Sequence, residues 1–265
     1  MSCIMLNGKK VSLPDKCTLF QIKGKADVCI INGYQTDEDA ELHEGDQVIL
    51  IHKGVFPQQD ELECMMAARH TPNVHEKVKR ASVAVAGLGG LGSNIALMLA
   101  RTGVGRLLLV DFDVVEPSNL NRQCYAIGHL GMQKCDAMLK QVREVNPYIE
   151  VKAGNVRVDA ENAAKLFDGY EIVCEAFDDP ACKAELVNTV LAELPGTKIV
   201  AGSGMAGYGS ANKIQTRKVF ERLYVCGDGE SEAKNGRGLM APLVTVCAAH
   251  QANMVLRLIL GLEDA

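Results

Sequence analysis

Three glycines, one aspartate and a downstream pair of cations carry most of the chemistry that can be read from this chain. Gly87, Gly89 and Gly92 stand at G-x-G-x-x-G spacing in VAGLGGLGSNIALMLARTGVGRLLLVDFD, residues 85–113. They follow an apolar, β-branched run and open a helical pattern. That is where a phosphate can approach the backbone without meeting a side chain, facing the free N–H groups and partial positive charge of a helix start. Asp111 closes the next strand, at about the distance expected of an acid that binds a ribose hydroxyl. Read alone, the glycine spacing suits NAD, FAD or another nucleotide.

The residues beyond Asp111 narrow the choice. FDVVEPSNLNRQ and GMQK gather Asn119, Arg122, Gln123 and Lys134 past the second strand. Two cations there can hold β- and γ-phosphates and neutralise charge that grows at an α-phosphate during displacement. Asp178, in EAFDDP, falls at the carboxyl end of a later strand, on the nucleotide edge of the sheet. A carboxylate there suits a magnesium ion bridging phosphates. Each residue has an ordinary reading too: Arg122 as a surface ion pair, Lys134 as a solvated helix lysine, Asp178 as a helix N-cap. The combination behind one glycine loop favours a triphosphate.

Alternating segments must position these groups. After a strand at SVAVAG come the helix GSNIALMLARTG, ending near Gly103 or Gly105, and the strand RLLLVD. Next come the helix KCDAMLKQVREV, stopped by Asn146-Pro147, and the strand YIEVKAGNV. The short helix DAENAAKLF, the strand YEIVCEAFD, the helix PACKAELVNTVLAEL and the strand KIVAG follow, and APLVTVCAAHQANMVLRLILG is a long last helix. The alternation predicts an α/β fold with a doubly wound, Rossmann-like parallel sheet over residues 82–265. Residues 1–55 read differently: strands around Asn7-Gly8 and Asn32-Gly33 turns, a short helix in TLFQIKGKA, a turn at Glu44-Gly45-Asp46 and a strand at Val48 to Ile51. Residues 56–81, punctuated by Pro57 and Pro72, read as a helical linker and arm.

Composition sets outer bounds. With 265 residues, 48% of them hydrophobic, the chain can bury a large core beside a small module. A net charge of −5 with dispersed Lys and Arg argues against a nucleic-acid surface. No uninterrupted apolar run reaches about 18 residues, so no membrane span is expected. The first residues lack a signal-peptide pattern, which points to the cytoplasm and to ten cysteines in the reduced state. No pair stands as C-x-x-C, so structural zinc is not expected.

The motifs GLGGLGS, DFDVVEPSNLNRQ, GMQK, EAFDD and GLMAPLV together resemble the ThiF/MoeB group, bacterial relatives of ubiquitin-activating enzymes, over about residues 69–260. The resemblance implies adenylation, with ATP and magnesium, of the C-terminal glycine of a ThiS-like sulfur-carrier protein ending in Gly-Gly, on the way to the thiazole of thiamine. It implies that Gly90 and Asp111 contact the nucleotide and that Asn119, Arg122 and Lys134 bind its phosphates. Asp178 then binds magnesium or positions the carrier's terminal carboxylate. Gly87, Gly89, Gly92, Asp113, Ser118, Gln123 and Asp179 complete the expected nucleotide set. It further implies a homodimer in which Arg69, on the arm, completes the neighbour's ATP site. Cys226, on a glycine-rich loop in YVCGDGESEAKNGRG, is the thiol nearest to where some relatives accept sulfur. Residues 1–55 resemble the β-grasp fold of ThiS and MoaD carriers, but Gly54 is followed by Val55-Phe56-Pro57, so no free carboxylate exists there. Unless cleaved, the module is therefore expected to serve docking, dimer stability or placement of the arm rather than to be a substrate in cis, with an inert fused domain as the alternative. An NAD- or FAD-dependent oxidoreductase and a non-catalytic partner with the same fold are the alternative functions.

Overall fold

The computed structural model describes residues 1–70 and 73–265, with the backbone alone for Gln59 and Asp60. Pro72 of the arm lies outside the described residues. The chain divides into two compact units, Met1–Lys77 and Val78–Ala265.

The first unit is a five-stranded β-grasp sheet. β1 (Ser2–Leu6) and β2 (Lys9–Leu13) form a hairpin through Asn7-Gly8. Both turn residues have positive φ, 46° and 82°, as a two-residue turn matched to strand twist requires. α1 (Leu19–Ile22), β3 (Val28–Ile31), β4 (Tyr34–Gln35) and β5 (Gln47–Ile51) complete the order β2-β1-β5-β3-β4. Alternate residues of each strand point to opposite faces. One face packs Ile4, Leu13, Cys29, Val48 and Leu50 against Leu19 and Leu42. The other presents Ile30 and Ile49, flanked by Val28 and Ile51, to Cys64, Met65 and Ala68. The first two of these partners lie on α2 (Gln59–Met66), a segment that reads in the sequence as linker. α3 (Val74–Arg80) spans the division between the units.

The second unit is a seven-stranded sheet with helices on it. Its elements are β6 (Ser82–Ala86), α4 (Gly90–Thr102), β7 (Arg106–Asp111), α5 (Lys134–Val145), β8 (Glu150–Asn155), α6 (Ala163–Phe167), β9 (Ile172–Glu175), α7 (Pro180–Glu193), β10 (Lys198–Gly202), β11 (Gln215–Phe220), β12 (Leu223–Gly227) and α8 (Ala241–Leu260). The strand order is β11-β12-β10-β9-β6-β7-β8, all parallel except β11 against β12. β6 and β9, both fully buried, sit at the centre, as the unbroken apolar runs demand. The chain winds outward from β6 through β7 to β8, then returns to β9 on the other side. That reversal opens a crevice beyond the carboxyl ends of β6 and β9.

The structure corrects the sequence reading at three places. β11 and β12 were not foreseen, because Gln215–Phe220 is exposed on nearly every residue and shows no alternation. Cys226 stands in β12, not on a loop, and is fully buried. α8 is long and apolar enough to cross a membrane, with a mean hydropathy of 1.5, although polar residues interrupt its runs. Half of it is buried, against α4 and the sheet, and Gln251 Nε2 donates to the carbonyls of Glu175 and Val200, each at 3.2 Å. These are the contacts of a core helix.

Candidate functional site

The crevice at the sheet switch is a cavity of about 1110 Å³, lined within the second unit by the ends of β6, β7, β9 and β10 and the starts of α4, α5 and α7. Its floor is the glycine loop. Gly87 has φ +89°, and a methyl there would meet the Ala176 carbonyl oxygen at 2.9 Å. Gly89 opens on the cavity, with Gln123 Nε2 at 3.9 Å the nearest atom to a methyl placed there. Gly90 begins α4, so the unpaired N–H groups of the first turn face the same space. Gly92 is different: it does not line the cavity. A methyl there would drive into the Gly87 carbonyl, so its absence lets α4 pack on the loop.

Asp111 ends β7 and is 8% exposed. Its Oδ2 accepts the Leu88 N–H at 2.6 Å and its Oδ1 accepts the Asp113 N–H at 2.8 Å. The carboxylate therefore pins the glycine loop to the turn after β7, and each oxygen keeps a lone pair for a ligand. Tyr125 donates its hydroxyl to the Leu88 carbonyl at 2.9 Å and bolts the loop from behind. Its phenol pKa is pushed far up by burial and, next, by Asp111.

The two cations differ in setting. Lys134 is 6% exposed and pairs with Asp113 Oδ2 at 2.8 Å. This corrects the reading of a solvated helix lysine. Lys134 also heads α5, where the helix dipole disfavours positive charge, so a cation and a helix start converge on one spot. Asp113, half exposed, pairs with the lysine, and Asp136 stands in the first turn of α5. Arg122 is half-buried. Its Nη1 donates to the Ser118 carbonyl at 3.2 Å and to Asn121 Oδ1 at 2.9 Å, which leaves Nη2 and Nε uncommitted. Asn119 is buried, with Oδ1 accepting the Glu116 N–H at 3.0 Å, and Gln123 holds a buried Oε1 with no partner among the described residues. Both line the cavity. Ser118 does not; its hydroxyl donates to Glu116 at 3.3 Å.

On the far wall, Asp178 is exposed and makes no hydrogen bond or ion pair with another described residue. Asp179, not Asp178, is the N-cap of α7, accepting the Cys182 N–H at 2.8 Å. That bond holds the Asp179 carboxyl below its ordinary range. Cys226 lies outside the cavity lining. Its thiol, beside Thr216 Oγ1 at 3.4 Å, is pushed up to about 11 by burial, which suits a buried hydrophobe and not a thiolate nucleophile. Arg69 belongs to the first unit, where its Nη2 donates to Gln35 Oε1 at 2.7 Å.

Among the described residues no group of three or more His, Cys, Asp or Glu is placed to hold a metal ion by itself. Asp178 nevertheless fits magnesium delivered with a nucleotide, because that ion takes one or two carboxylates and completes its shell with phosphate oxygens and water. Residues missed in the sequence also line the cavity. Phe112 and Arg157 stack, the guanidinium carbon 5.9 Å from the ring centroid, and Lys183 enters from α7. The carboxyl ends of β7 and β8 were the available signal for the first pair.

The sequence profile of the ThiF family matches residues 64–265, and that of ThiS-like ubiquitin matches residues 3–54. Adenylyltransferase and sulfurtransferase UBA4 of Scheffersomyces stipitis is 31% identical over 199 residues, 70% of this chain and 43% of the relative. Its counterpart in Saccharomyces cerevisiae is 32% identical over 194 residues, with the same coverage. The chain thus spans less than half the length of these curated relatives. Among solved structures, Escherichia coli tRNA N6-threonylcarbamoyladenosine dehydratase, TcdA, in complex with ATP superposes with a TM-score of 0.69 at 23% identity, covering 78% of this chain and 98% of that one. E. coli MccB with AMPCPP and MccA gives 0.57 at 21% identity, covering 79% and 73%.

Proposed function

From the premise that the chain belongs to the ThiF family, we propose that it uses Mg-ATP to adenylate the C-terminal glycine of a ubiquitin-like sulfur-carrier protein, releasing pyrophosphate. The observation that carries this reading is one cavity holding the glycine loop, the start of α4, the cations Arg122 and Lys134 and the uncommitted Asp178. A carrier's terminal carboxylate is already ionised at neutral pH, so the reaction needs no general base. It needs two anions brought together, which cations and alignment achieve.

The amides at the start of α4 and Arg122 would hold the phosphates, and Asp111 the ribose. Lys134 would exchange its Asp113 partner for a phosphate oxygen. Asp178 would hold magnesium, which when bound offsets phosphate charge. The rim from Gly202 to Ala206 carries two glycines, and would suit a narrow Gly-Gly tail entering beside the α-phosphate. The names of the UBA4 relatives, adenylyltransferase and sulfurtransferase, and the ATP bound by TcdA support the same chemistry. We take the carrier to be ThiS-like, with thiamine thiazole the destination of its sulfur and a cytoplasmic homodimer, completed by Arg69, the working form.

The test is ATP–pyrophosphate exchange by the purified chain with ThiS-type and other carriers ending in Gly-Gly. Carrier-dependent exchange is expected. Thermal stabilisation by NAD and none by Mg-ATP would overturn the reading.

A further inference from the structure

Glu175 and Lys183 form an ion pair that none of the chemistry above uses. Glu175 is the last residue of β9 and its side chain is wholly buried. Its Oε2 accepts from Lys183 Nζ at 2.6 Å, and its Oε1 accepts the Phe177 N–H at 2.7 Å. Lys183 Nζ also donates to the Gly202 carbonyl at 2.7 Å, at the end of the neighbouring β10. Gln251 of α8 donates to the Glu175 carbonyl. One carboxylate therefore ties the backbone two residues on to a side chain eight residues on, and through that side chain to the next strand.

Asp178 lies inside this closed segment. Asp179 caps α7 within it. The backbone around Asp178 is thus fixed from both sides, while its own carboxylate stays uncommitted on the cavity wall. A fully buried carboxylate is an expensive way to close a turn. Two apolar residues of similar volume often hold a fold as well or better, so the ion pair is better explained by geometry than by stability. Burial drives the Glu175 carboxyl upward, and Lys183 and the Phe177 amide draw it back.

We infer that Glu175 and Lys183 are a positioning pair that sets the Asp178 carboxylate towards the magnesium ion of a bound nucleotide. The inference rests on the Mg-ATP reading above. Its test compares Glu175→Gln, Lys183→Met and Lys183→Arg, each alone and in an Asp178→Asn background. The readouts are pyrophosphate exchange and the magnesium concentration giving half of the ATP-induced thermal shift.

In Glu175→Gln and Lys183→Met the magnesium requirement rises by ~10-fold or more, as loss of a group supporting a metal ligand does. The exchange kcat falls by up to about 100-fold with carrier KM within about twofold. Lys183→Arg, which keeps a cation for Glu175, restores most of both. In the Asp178→Asn background the same changes have little further effect. An unchanged magnesium requirement, or losses that multiply fully with those of Asp178→Asn, would overturn the inference and leave a purely structural pair. If Glu175→Gln does not fold, the two Lys183 variants decide. Wild-type protein that binds Mg-ATP but exchanges no pyrophosphate would sink the adenylation reading alone, and the magnesium shift would still judge this pair.

Discussion

Two glycines three residues apart, Gly89 and Gly92, give the sharpest prediction, because the structure assigns them opposite duties. A methyl carbon on Gly92 would stand 2.8 Å from the Gly87 carbonyl carbon, nearer still to its oxygen, and 3.2 Å from Val85 Cγ1. Ordinary carbon contacts are about 3.5–4.0 Å, so Gly92→Ala forces a shift of roughly 1 Å. The obstacle is backbone, which no rotamer relieves. Overpacking of this kind costs ~1–3 kcal/mol. For a unit of this size each kcal/mol lowers Tm by roughly 2–4 °C. A displacement of about 1 Å in the loop also weakens catalysis by ~100-fold. Gly89→Ala is the control. Its backbone has φ −74°, and the nearest atom to its methyl is 3.9 Å away, so Tm stays within about 1 °C of wild type. The methyl projects into the cavity and abolishes Mg-ATP stabilisation. Differential scanning fluorimetry with and without Mg-ATP measures both. Gly92→Ala with wild-type Tm and affinity would refute the packing assignment, and Gly89→Ala with wild-type affinity would remove that glycine from the phosphate contacts.

Arg122→Ala and Lys134→Ala each slow pyrophosphate exchange by ~100-fold or more. Lys134→Ala also lowers Tm, because its side chain is buried against Asp113, whereas the half-buried Arg122 leaves Tm nearly unchanged. Cys226 resists iodoacetamide at pH 8 in the folded protein and reacts on denaturation, and Cys226→Ser retains exchange; rapid labelling of the native thiol, read by mass spectrometry, would contradict its burial. Asp179 contributes pH-dependent stability of a definite sign. Its folded pKa is depressed, so its cap is intact above the unfolded value of about 3.9 and is lost as pH falls through the lower folded one. Asp179→Asn therefore flattens the dependence of Tm on pH below about 4, and an unchanged acid slope counts against the cap.

Much of this architecture is legible from letters. The Asn-Gly turns, the apolar run before GLGGLG and the stop at Asn146-Pro147 are local signals, and the corresponding elements form within a residue or two of their sequence limits. The glycine loop, Asp111, Asn119, Arg122, Gln123, Lys134 and Asp178 do converge on one cavity. What escaped depends on contacts between distant segments. β11 is a polar edge strand whose partner supplies its only pattern. Cys226 sits among glycines and charges in sequence but between two strands in space. Glu175 and Lys183 look like a strand-end acid and a surface helix lysine, and only the return of α7 across β9 and β10 pairs the lysine with a buried carboxylate. Gly92 fits the nucleotide spacing, yet serves the packing of α4.

The second face of the β-grasp sheet travels with its own cover. α2 and the residues after its end, Ala68 among them, close over Ile30 and Ile49, and two polar ties fasten the cover: Lys9 to Glu61 at 3.0 Å and Arg69 to Gln35 at 2.7 Å. Severing the chain at residue 55 would strip both partners at once. The excised module would show water a bare stripe of Val28, Ile30, Ile49 and Ile51, and the remainder would carry Cys64, Met65 and Ala68 with nothing to lie on. Both fragments would be prone to self-association, and a loss of carrier binding after such a cut would be misread as loss of a docking site. A portable module therefore keeps α2 and the residues through Arg69, whereas a cut at the boundary between the units, Lys77–Val78, would divide α3.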